Sequence, residues 1–166
     1  ELRPLLDRLT MLLWPRFKAV LDLQIEGLRA VDPTTLVSRG SDKFAHYVTR
    51  RFGELTACLH LLKNDEGREM LDHSLDYLRK EVEALWGRVA VQLGDRRTQL
   101  CFIINQLDFM VSTYGQRGVP GDVTGYFAKK LDSTIDEYVE EELKRYIADM
   151  IAYIKESEGA AAGGSG

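Results

Sequence analysis

The sequence contains few cysteines and few histidines, the side chains that most often bind metals or form disulfides. Only 2 cysteines and 3 histidines occur in 166 residues. Cys58 and Cys101 fall within apolar helical patterns, so we expect buried, reduced thiols in a cytosolic protein, with a disulfide or reactive pair as the alternative. The histidines are His46, His60 and His73. None stands in a zinc motif, and Glu69 with His73 makes at most half of a di-iron site, so we predict no metal and no cofactor.

The chain also lacks an excess of basic residues and any long apolar run. Lys and Arg number 22 against 26 Asp and Glu, which gives a formal net charge of −4. This balance argues against a nucleic-acid surface, which normally carries a clustered basic face. No apolar run is long enough for a membrane span, and none has the charged flank of a signal peptide. We therefore expect a soluble protein.

Motifs for phosphate binding and for nucleophilic catalysis are absent as well. Gly115, Gly118 and Gly121 follow no predicted strand and form neither a G-x-G-x-x-G nor a P-loop pattern. Ser38 and Ser41 lack the Gly-x-Ser-x-Gly elbow of hydrolases. We predict no catalytic residue and a non-enzymatic protein. The alternative that stays open is a helical-bundle enzyme or cofactor carrier whose site assembles from scattered carboxylates and histidines.

What the sequence does contain is apolar residues at helical spacing. Residues are 45% hydrophobic and 29% charged, as in ordinary globular domains. In Leu100–Tyr114, a run of apolar residues up to Ile104 is followed by others at spacings of three and four. This pattern predicts a helix buried nearly all round, at the centre of the fold. No strand alternation competes anywhere, so we predict an all-α protein.

The same spacing predicts the other helices. One begins near Arg3 and ends at Asp32-Pro33, with a kink or break near Pro15. Three more are predicted at residues 43–63, 68–93 and 123–156. Between them we expect a loop at 31–42, a short turn at 64–67 and a glycine-rich loop at 115–122. The architecture is an antiparallel bundle of five helices, or four if the chain continues helically through Gly94-Asp95.

Apolar positions on these helices predict the faces that pack together. The second helix carries Val48, Phe52, Leu55, Leu59 and Leu62. The third carries Leu71, Leu75, Leu78, Val82, Leu85 and Val89, and the last carries Phe127, Leu131, Ile135, Val139, Leu143, Ile147, Met150 and Ile154. An acidic run on the last helix, Asp136, Glu137 and Glu140–Glu142, is interpreted as solvated surface or as a docking site for a basic partner. We take residues 1–158 as one helical domain, cut from a longer protein, and 159–166 as a flexible tail.

Two arginine pairs, Arg50-Arg51 and Arg96-Arg97, are the basic features that suggest a binding site. Glu54 lies one helical turn from Arg50 and Arg51, so local ion pairing or solvation of these arginines is one interpretation. The other is recognition of an acidic partner or a phosphoinositide surface, because guanidinium groups suit carboxylate and phosphate contacts. The candidate partner-binding residues are therefore Arg50, Arg51, Glu54, Arg96 and Arg97.

Three segments, taken together, resemble one known family. They are Leu12–Phe17 (LLWPRF), Tyr47–Leu55 (YVTRRFGEL) and Phe102–Asn105 (FIIN), with further similarity at Glu141–Leu143 and Ile154–Glu156. In this order and at these separations they look like the C-terminal part of vacuolar protein sorting subunit fifty-two, over most of residues 2–156. LLWPRF and YVTRRF are the specific parts of the match.

The resemblance implies a non-enzymatic, helical-rod (CATCHR-type) subunit of a tethering complex. Proteins similar to this one belong to the GARP complex and the related endosome-associated recycling complex (EARP), which hold endosome-derived vesicles at the trans-Golgi network. The implied partners are other tether subunits, small GTPases and SNAREs. The implied location is the cytoplasmic face of the trans-Golgi network and endosomes, with peripheral membrane association through the complex. A GTPase-binding or lipid-binding helical module is a further alternative.

The sequence departs from the family pattern in two ways. Gln106 and Leu107 stand where the family usually has a second asparagine and an aromatic residue. The resemblance therefore does not establish a polar contact at position 106. Family members also continue with more helices and carry an N-terminal coiled-coil region, neither of which this sequence contains. We therefore expect part of its apolar surface to be exposed.

Overall fold

The protein is a bundle of α-helices. A computed structural model describes residues 3–37, 43–61 and 68–162. Its elements are α1 (Arg3–Ala30), a short 3₁₀ helix (Pro33–Leu36), α2 (Tyr47–Leu61), α3 (Arg68–Val91), α4 (Arg96–Arg117) and α5 (Gly121–Ala162). The described ranges contain no strand, which confirms the all-α prediction. The helices pack mainly as the pairs α4 with α5, α2 with α4, and α1 with α3.

A glycine and an aspartate separate α3 from α4. Gly94 has φ of +91°, a left-handed conformation that ends a helix and strongly favours glycine. Asp95 then caps α4, because its carboxylate accepts a 2.8 Å hydrogen bond from the backbone N–H of Thr98. This bond lowers the pKa of Asp95. The question that the sequence left open is thus answered, and the bundle has five helices in the part of the chain described.

The predicted loop at residues 115–122 is wrong in extent. Helix α4 continues to Arg117, and α5 already begins at Gly121. Only Gly118, with φ of +70°, has the left-handed conformation that terminates α4. The N–H of Val119 then bonds back to the Tyr114 carbonyl at 3.0 Å. A helix tolerates glycines within its last turn, so the composition of this run overstated the length of the break.

Helix α1 runs without interruption through Pro15, so a break there is wrong, and the alternative of a kink stays a prediction. In the loop that follows, Pro33–Leu36 forms the 3₁₀ helix, and its Leu36 is buried. Asp32 caps this turn by accepting a 2.9 Å bond from the N–H of Thr34, which lowers the pKa of Asp32. Residues 38–42 of the predicted loop and the predicted turn at 64–67 lie outside the described residues.

The core lies where α3 meets α4 and α2. Helix α3 buries five of the six positions predicted for it, which are Leu75, Leu78, Val82, Leu85 and Val89. The face predicted for α2 is correct only in part: Val48 packs against the core and Leu59 is half-buried, whereas Leu62 lies outside the described residues. Phe52 is buried as expected, but Leu55 is 43% exposed. The buried residues beside Phe52 are instead Thr49, Gly53, Thr56 and Ala57.

Gly53 explains why small residues face the core on α2. A Cβ at Gly53 would lie 3.2 Å from Met110 Sδ and 3.3 Å from Phe109 Cε1, so α2 approaches α4 closely there. Larger residues at this face would push the two helices apart. Leu55 is accordingly exposed rather than buried against α4.

Helix α4 is central but is not enclosed on all sides. Phe102, Leu107, Met110 and Tyr114 are at most 1% exposed, yet Asp108 and Ser112 face solvent and Ile104 is half-buried. The expectation of burial nearly all round is thus wrong for one side. The expected buried thiols are also wrong, because Cys58 is exposed and Cys101 half-buried. Both thiols are free.

Helix α5 is longer than its apolar pattern indicated. It spans 42 residues and continues to Ala162, beyond the predicted end at Glu156. At 1.5 Å per residue it is about 60 Å long, roughly twice the length of α4. Its first turns bury Phe127 against Tyr114, with ring centroids 5.6 Å apart. The division into a domain of residues 1–158 and a flexible tail stays a prediction.

Candidate functional site

A buried polar network holds three helices in a fixed relation. Gln106 is fully buried, and its side-chain oxygen accepts hydrogen bonds from the Thr49 hydroxyl at 2.7 Å and the His46 backbone N–H at 2.8 Å. The Trp86 indole N–H donates to the Thr49 hydroxyl at 2.9 Å. Every member of this network is thus hydrogen-bonded, which favours one specific packing of α2, α3 and α4. Only the unusual position of a glutamine in an apolar run hints at this network in the sequence.

The second arginine pair is committed to contacts within the chain. Arg96 forms an ion pair with Glu137, and Arg97 forms one with Glu142. A hydrogen bond to the Tyr138 hydroxyl and the nearby Glu142 carboxylate raise the pKa of Arg97. Both arginines therefore form ion pairs that connect the start of α4 with the middle of α5. Of the acidic run, Asp136 and Glu140 remain exposed, and the solvated-surface interpretation fits them.

The first arginine pair is arranged differently. Glu54 pairs with Arg117 on α4, so the predicted pairing of Glu54 with Arg50 or Arg51 is wrong. The guanidinium of Arg51 lies over the Tyr47 ring, 5.8 Å from its centroid. Across residues 3–37, 43–61 and 68–162, neither Arg50 nor Arg51 has a carboxylate partner. Their assignment as partner-binding residues stays a prediction, and these two are the members of the predicted set that remain available.

An apolar groove of about 330 Å³ lies beside Arg51. Its walls come from α1 and α2, and its floor comes from α3 through Leu78, Val82 and Leu85. Helices α1 and α2 each pack on α3, and no backbone contact joins α1 to α2 in the described part of the chain. Helical spacing could not reveal this groove, because it arises from a gap between helices that are distant in sequence.

A second cavity, of about 230 Å³, lies near His60 between α2, α3 and α5. Its lining includes the ion-paired side chains Asp76 and Arg79. Arg79 pairs with Asp76 and with Glu83, and its guanidinium lies 4.0 Å from the centroid of the Tyr126 ring. Lys80 and Arg79 lower the pKa of Asp76. The cavity therefore has the character of a structural junction between α3 and α5.

The three histidines are not brought together. His60 packs against the Tyr114 ring, with centroids 5.8 Å apart, whereas His73 is exposed on α3. Burial lowers the pKa of His46, whose Nδ1 accepts a 3.3 Å bond from the Val48 N–H. No group of three or more His, Cys, Asp or Glu side chains within the described ranges is placed to bind a metal ion.

An exposed apolar surface lies on the second half of α5. We call it the α5 distal face, and it comprises Val139, Leu143, Ile147, Met150 and Ile154, which are 46–61% exposed. The sequence predicted that these residues face the core. They share a helix face as predicted, but no described element covers them. Exposed leucines near the start of α1, Leu9, Leu12 and Leu13, form a smaller surface. The exposure expected from the family resemblance is thus present at both places.

None of the helices described combines the length and hydrophobicity needed to cross a lipid bilayer.

Comparison with known proteins gives a consistent result. The family model described as Vps52, C-terminal matches residues 1–145. The Vacuolar protein sorting-associated protein 52 homolog of Homo sapiens is 32% identical over 160 residues, covering 93% of this chain and 22% of the relative. Vacuolar protein sorting-associated protein 52 A of Arabidopsis thaliana is 33% identical over 151 residues, covering 90% and 21%. The chain spans about a fifth of the length of these relatives. No solved structure matches it.

The match includes the segments that carried the resemblance, LLWPRF, YVTRRFGEL and FIIN, all within residues 1–145. It spans most of the chain and includes α1 to α4 and the part of α5 that packs on α4. The chain belongs to the Vps52 C-terminal family.

Proposed function

We propose that this chain is part of a non-enzymatic subunit of a multisubunit vesicle-tethering complex of the GARP or EARP type. The complex would act in endosome-to-trans-Golgi retrograde transport. Membership of the Vps52 C-terminal family supports this proposal, together with curated relatives named as vacuolar protein sorting-associated proteins. The observation that carries it is the α5 distal face, an apolar surface on a long helix with no cover from the described chain.

The physical role of such a chain is to hold binding surfaces at fixed positions. The ion pairs of Arg96 and Arg97 and the buried Gln106 network hold α4 against its neighbours. Helix α5 then extends from this base and presents large aliphatic side chains at spacings of three and four. A helix from another subunit can pack against such a face, with charged side chains at its edges selecting the partner.

The proposed partners are other tether subunits, with small GTPases and SNAREs as further contacts of the assembled complex. Membrane association would be peripheral and would occur through the complex, at the cytoplasmic face of the trans-Golgi network and endosomes. Arg50 supports a second candidate, direct binding of a GTPase or anionic lipid, because it is exposed without a carboxylate partner among the described residues. Unchanged GTPase pull-down and liposome binding of an Arg50→Glu variant would remove that candidate.

The test of the main proposal is co-purification of the full-length protein from cells, with identification of the proteins bound. We expect three other tether subunits. A variant with Leu143→Asp and Ile147→Asp places two charges on the α5 distal face and should lower the recovery of at least one subunit.

The matched control is a variant with Ala148→Asp and Ala152→Asp. Both alanines are exposed and lie on the opposite side of α5, because 100° per residue places them about half a turn from the distal face. The control should retain all subunits. Recovery of no tether subunit with the unaltered protein contradicts the proposed function. Equal recovery with both double variants contradicts the role of the α5 distal face alone.

A further inference from the structure

The groove between α1 and α2 has the form of a binding trough for a helix. One wall is formed by Leu23 and Gly27 of α1 and by Val31 just after that helix, and the other is the α2 ridge Tyr47, Arg51 and Leu55, each with spacings of four. Leu78, Val82 and Leu85 of α3 form the floor and are at most 3% exposed. An apolar trough between two helices, with a third helix beneath, is the arrangement that accepts an amphipathic helix.

The rim of the groove exposes apolar side chains at both walls. Leu23 is 64% exposed, Tyr47 54% and Leu55 43%. These values are high for large side chains next to a buried apolar floor. A partner that covers the rim would remove this surface from water, and each square ångström of apolar surface so removed favours binding.

Gly27 has no side chain, so the α1 wall of the groove is low at this position. A Cβ at this position would have no neighbouring atom within 4 Å. Glycine inside a helix costs about 1 kcal/mol relative to alanine, and no close contact within the chain requires it here. The missing side chain allows the backbone of an occupant to approach α1 closely.

Arg51 gives the occupant a charge preference. It is the one charged side chain that lines the groove among the described residues. The Tyr47 ring positions its guanidinium at the rim, and no carboxylate in the described chain neutralises it. Guanidinium groups bind carboxylates in bidentate geometry, so an acidic residue next to apolar anchors complements this site.

We propose that this groove binds an amphipathic helix of a partner protein, whose apolar face lies on Val82 and whose Asp or Glu side chain pairs with Arg51. This goes beyond membership of a tethering complex, because it specifies one surface and the chemistry of its occupant. It uses a different face of the molecule from the α5 distal face.

The experiment is site-specific photo-crosslinking of the full-length protein in cells. A p-benzoylphenylalanine residue replaces Leu23 at the rim of the groove, and the crosslinked peptide is identified by mass spectrometry. We expect a segment with apolar residues at spacings of three and four and an acidic residue beside them. The same photo-reactive residue at Val91, which is 67% exposed and does not line the groove, should not yield this segment.

Variants with matched controls test the two recognition elements. Arg51→Glu should lower the crosslink yield about tenfold, the effect of losing roughly one charge-assisted contact. Arg16→Glu makes the same change at an exposed arginine of α1 outside the groove and should leave the yield within about twofold. Gly27→Trp fills the trough and should abolish the crosslink, whereas Gly87→Trp adds the same side chain at an open position on α3 and should not. Unchanged circular dichroism and melting show that each variant is folded.

Reversing the charge on both partners then tests whether the acidic residue of the crosslinked segment pairs with Arg51. When the acidic residue of the identified segment is replaced by arginine, that segment should again crosslink to the Arg51→Glu variant of this protein. Lack of rescue overturns the proposal, as does a crosslink only to lipid, only to another part of this chain, or to a segment with no acidic residue. An equal loss with Arg16→Glu and Arg51→Glu also overturns it, because binding would then follow net charge rather than the groove.

Discussion

Thr49 donates a 2.7 Å hydrogen bond to the side-chain oxygen of Gln106, and both residues are fully buried between α2 and α4. The Gln106 amide nitrogen donates in turn to the Phe102 carbonyl at 2.9 Å. The bond from Thr49 determines how α2 lies on α4. An apolar side chain at either position would leave the other polar group buried without its partner, and such groups are costly.

We therefore predict that Gln106→Leu destabilises the protein by about 2–4 kcal/mol, because the Thr49 hydroxyl and the His46 N–H both lose their acceptor. Thermal or urea denaturation of the two proteins measures the difference. Gln116→Leu is the matched control, because Gln116 is exposed near the end of the same helix, and it should change stability by less than about 0.5 kcal/mol. Equal melting of Gln106→Leu and the parent would contradict the role of the network.

The close approach at Gly53 gives a second prediction. Gly53→Leu should destabilise by several kcal/mol or prevent folding, because its first side-chain atom already lies 3.2 Å from Met110 Sδ. Gly87→Leu is the control within α3, where a Cβ meets no atom within 4 Å. There the change removes a flexible glycine from a helix and should stabilise by up to about 1 kcal/mol. Similar effects at both glycines would show that α2 and α4 are not in close contact.

The contrast between α3 and α2 shows how far the sequence predicts the core. In α3 large aliphatic residues carry the contact, so helical spacing identifies Leu75, Leu78 and Val82 correctly. In α2 the close contact also needs small residues such as Gly53, and the hydrophobic pattern omits these and includes Leu55, which is exposed. Spacing records which residues share a face, but the distance between two helices depends on both surfaces together.

Local sequence patterns likewise do not predict which distant residues meet at the candidate sites. The arginine pairs were visible as sequence features, but their partners were not. Arg96 and Arg97 are paired with α5, and Glu54 turns to Arg117, across separations that no local pattern encodes. The groove beside Arg51 was missed for the same reason. The family resemblance could be recognised from the sequence because LLWPRF and YVTRRF are contiguous.

A third prediction concerns α4, whose burial the sequence overestimated. Leu107 is 0% exposed, whereas Ile104 is half-buried. Leu107→Asp should therefore unfold a domain of ordinary stability, because an unpaired charge would lie in the core. Ile104→Asp should cost less, since its carboxylate can reach water at the edge of the helix. Urea denaturation of the two variants gives the comparison, and a larger loss for Ile104→Asp would show that α4 faces its neighbours in a different orientation.

The fourth prediction concerns the pH dependence of stability and rests on Tyr114. Its side chain is 1% exposed, and its hydroxyl lies 2.6 Å from the Thr56 hydroxyl. Thr56 donates its own proton to the Phe52 carbonyl at 2.7 Å, so Tyr114 is the donor between the two hydroxyls. Burial raises the pKa of Tyr114 to about 12, because a phenolate there would lose its hydration.

The sign follows from comparing folded and unfolded chains. An unfolded tyrosine has a pKa of about 10, so below pH 10 the phenol is neutral in both states and its contribution to stability is fully present. Between pH 10 and 12 the unfolded chain loses the proton and the folded chain keeps it. Stability should then fall by about 1.4 kcal/mol per pH unit, or about 3 kcal/mol in total.

Tyr114→Phe isolates this effect, since it removes the titrating group and retains the ring. At pH 8 the variant should be about 1 kcal/mol less stable than the parent, because it lacks the hydrogen bond to Thr56. By pH 12 the order should reverse, as only the parent loses stability through this residue. Tyr153→Phe, at a 73% exposed position, is the matched control for loss of one phenol. Urea denaturation at half-unit steps of pH measures all three proteins, and a constant difference between the parent and Tyr114→Phe would mean that the Tyr114 phenol is not buried against Thr56.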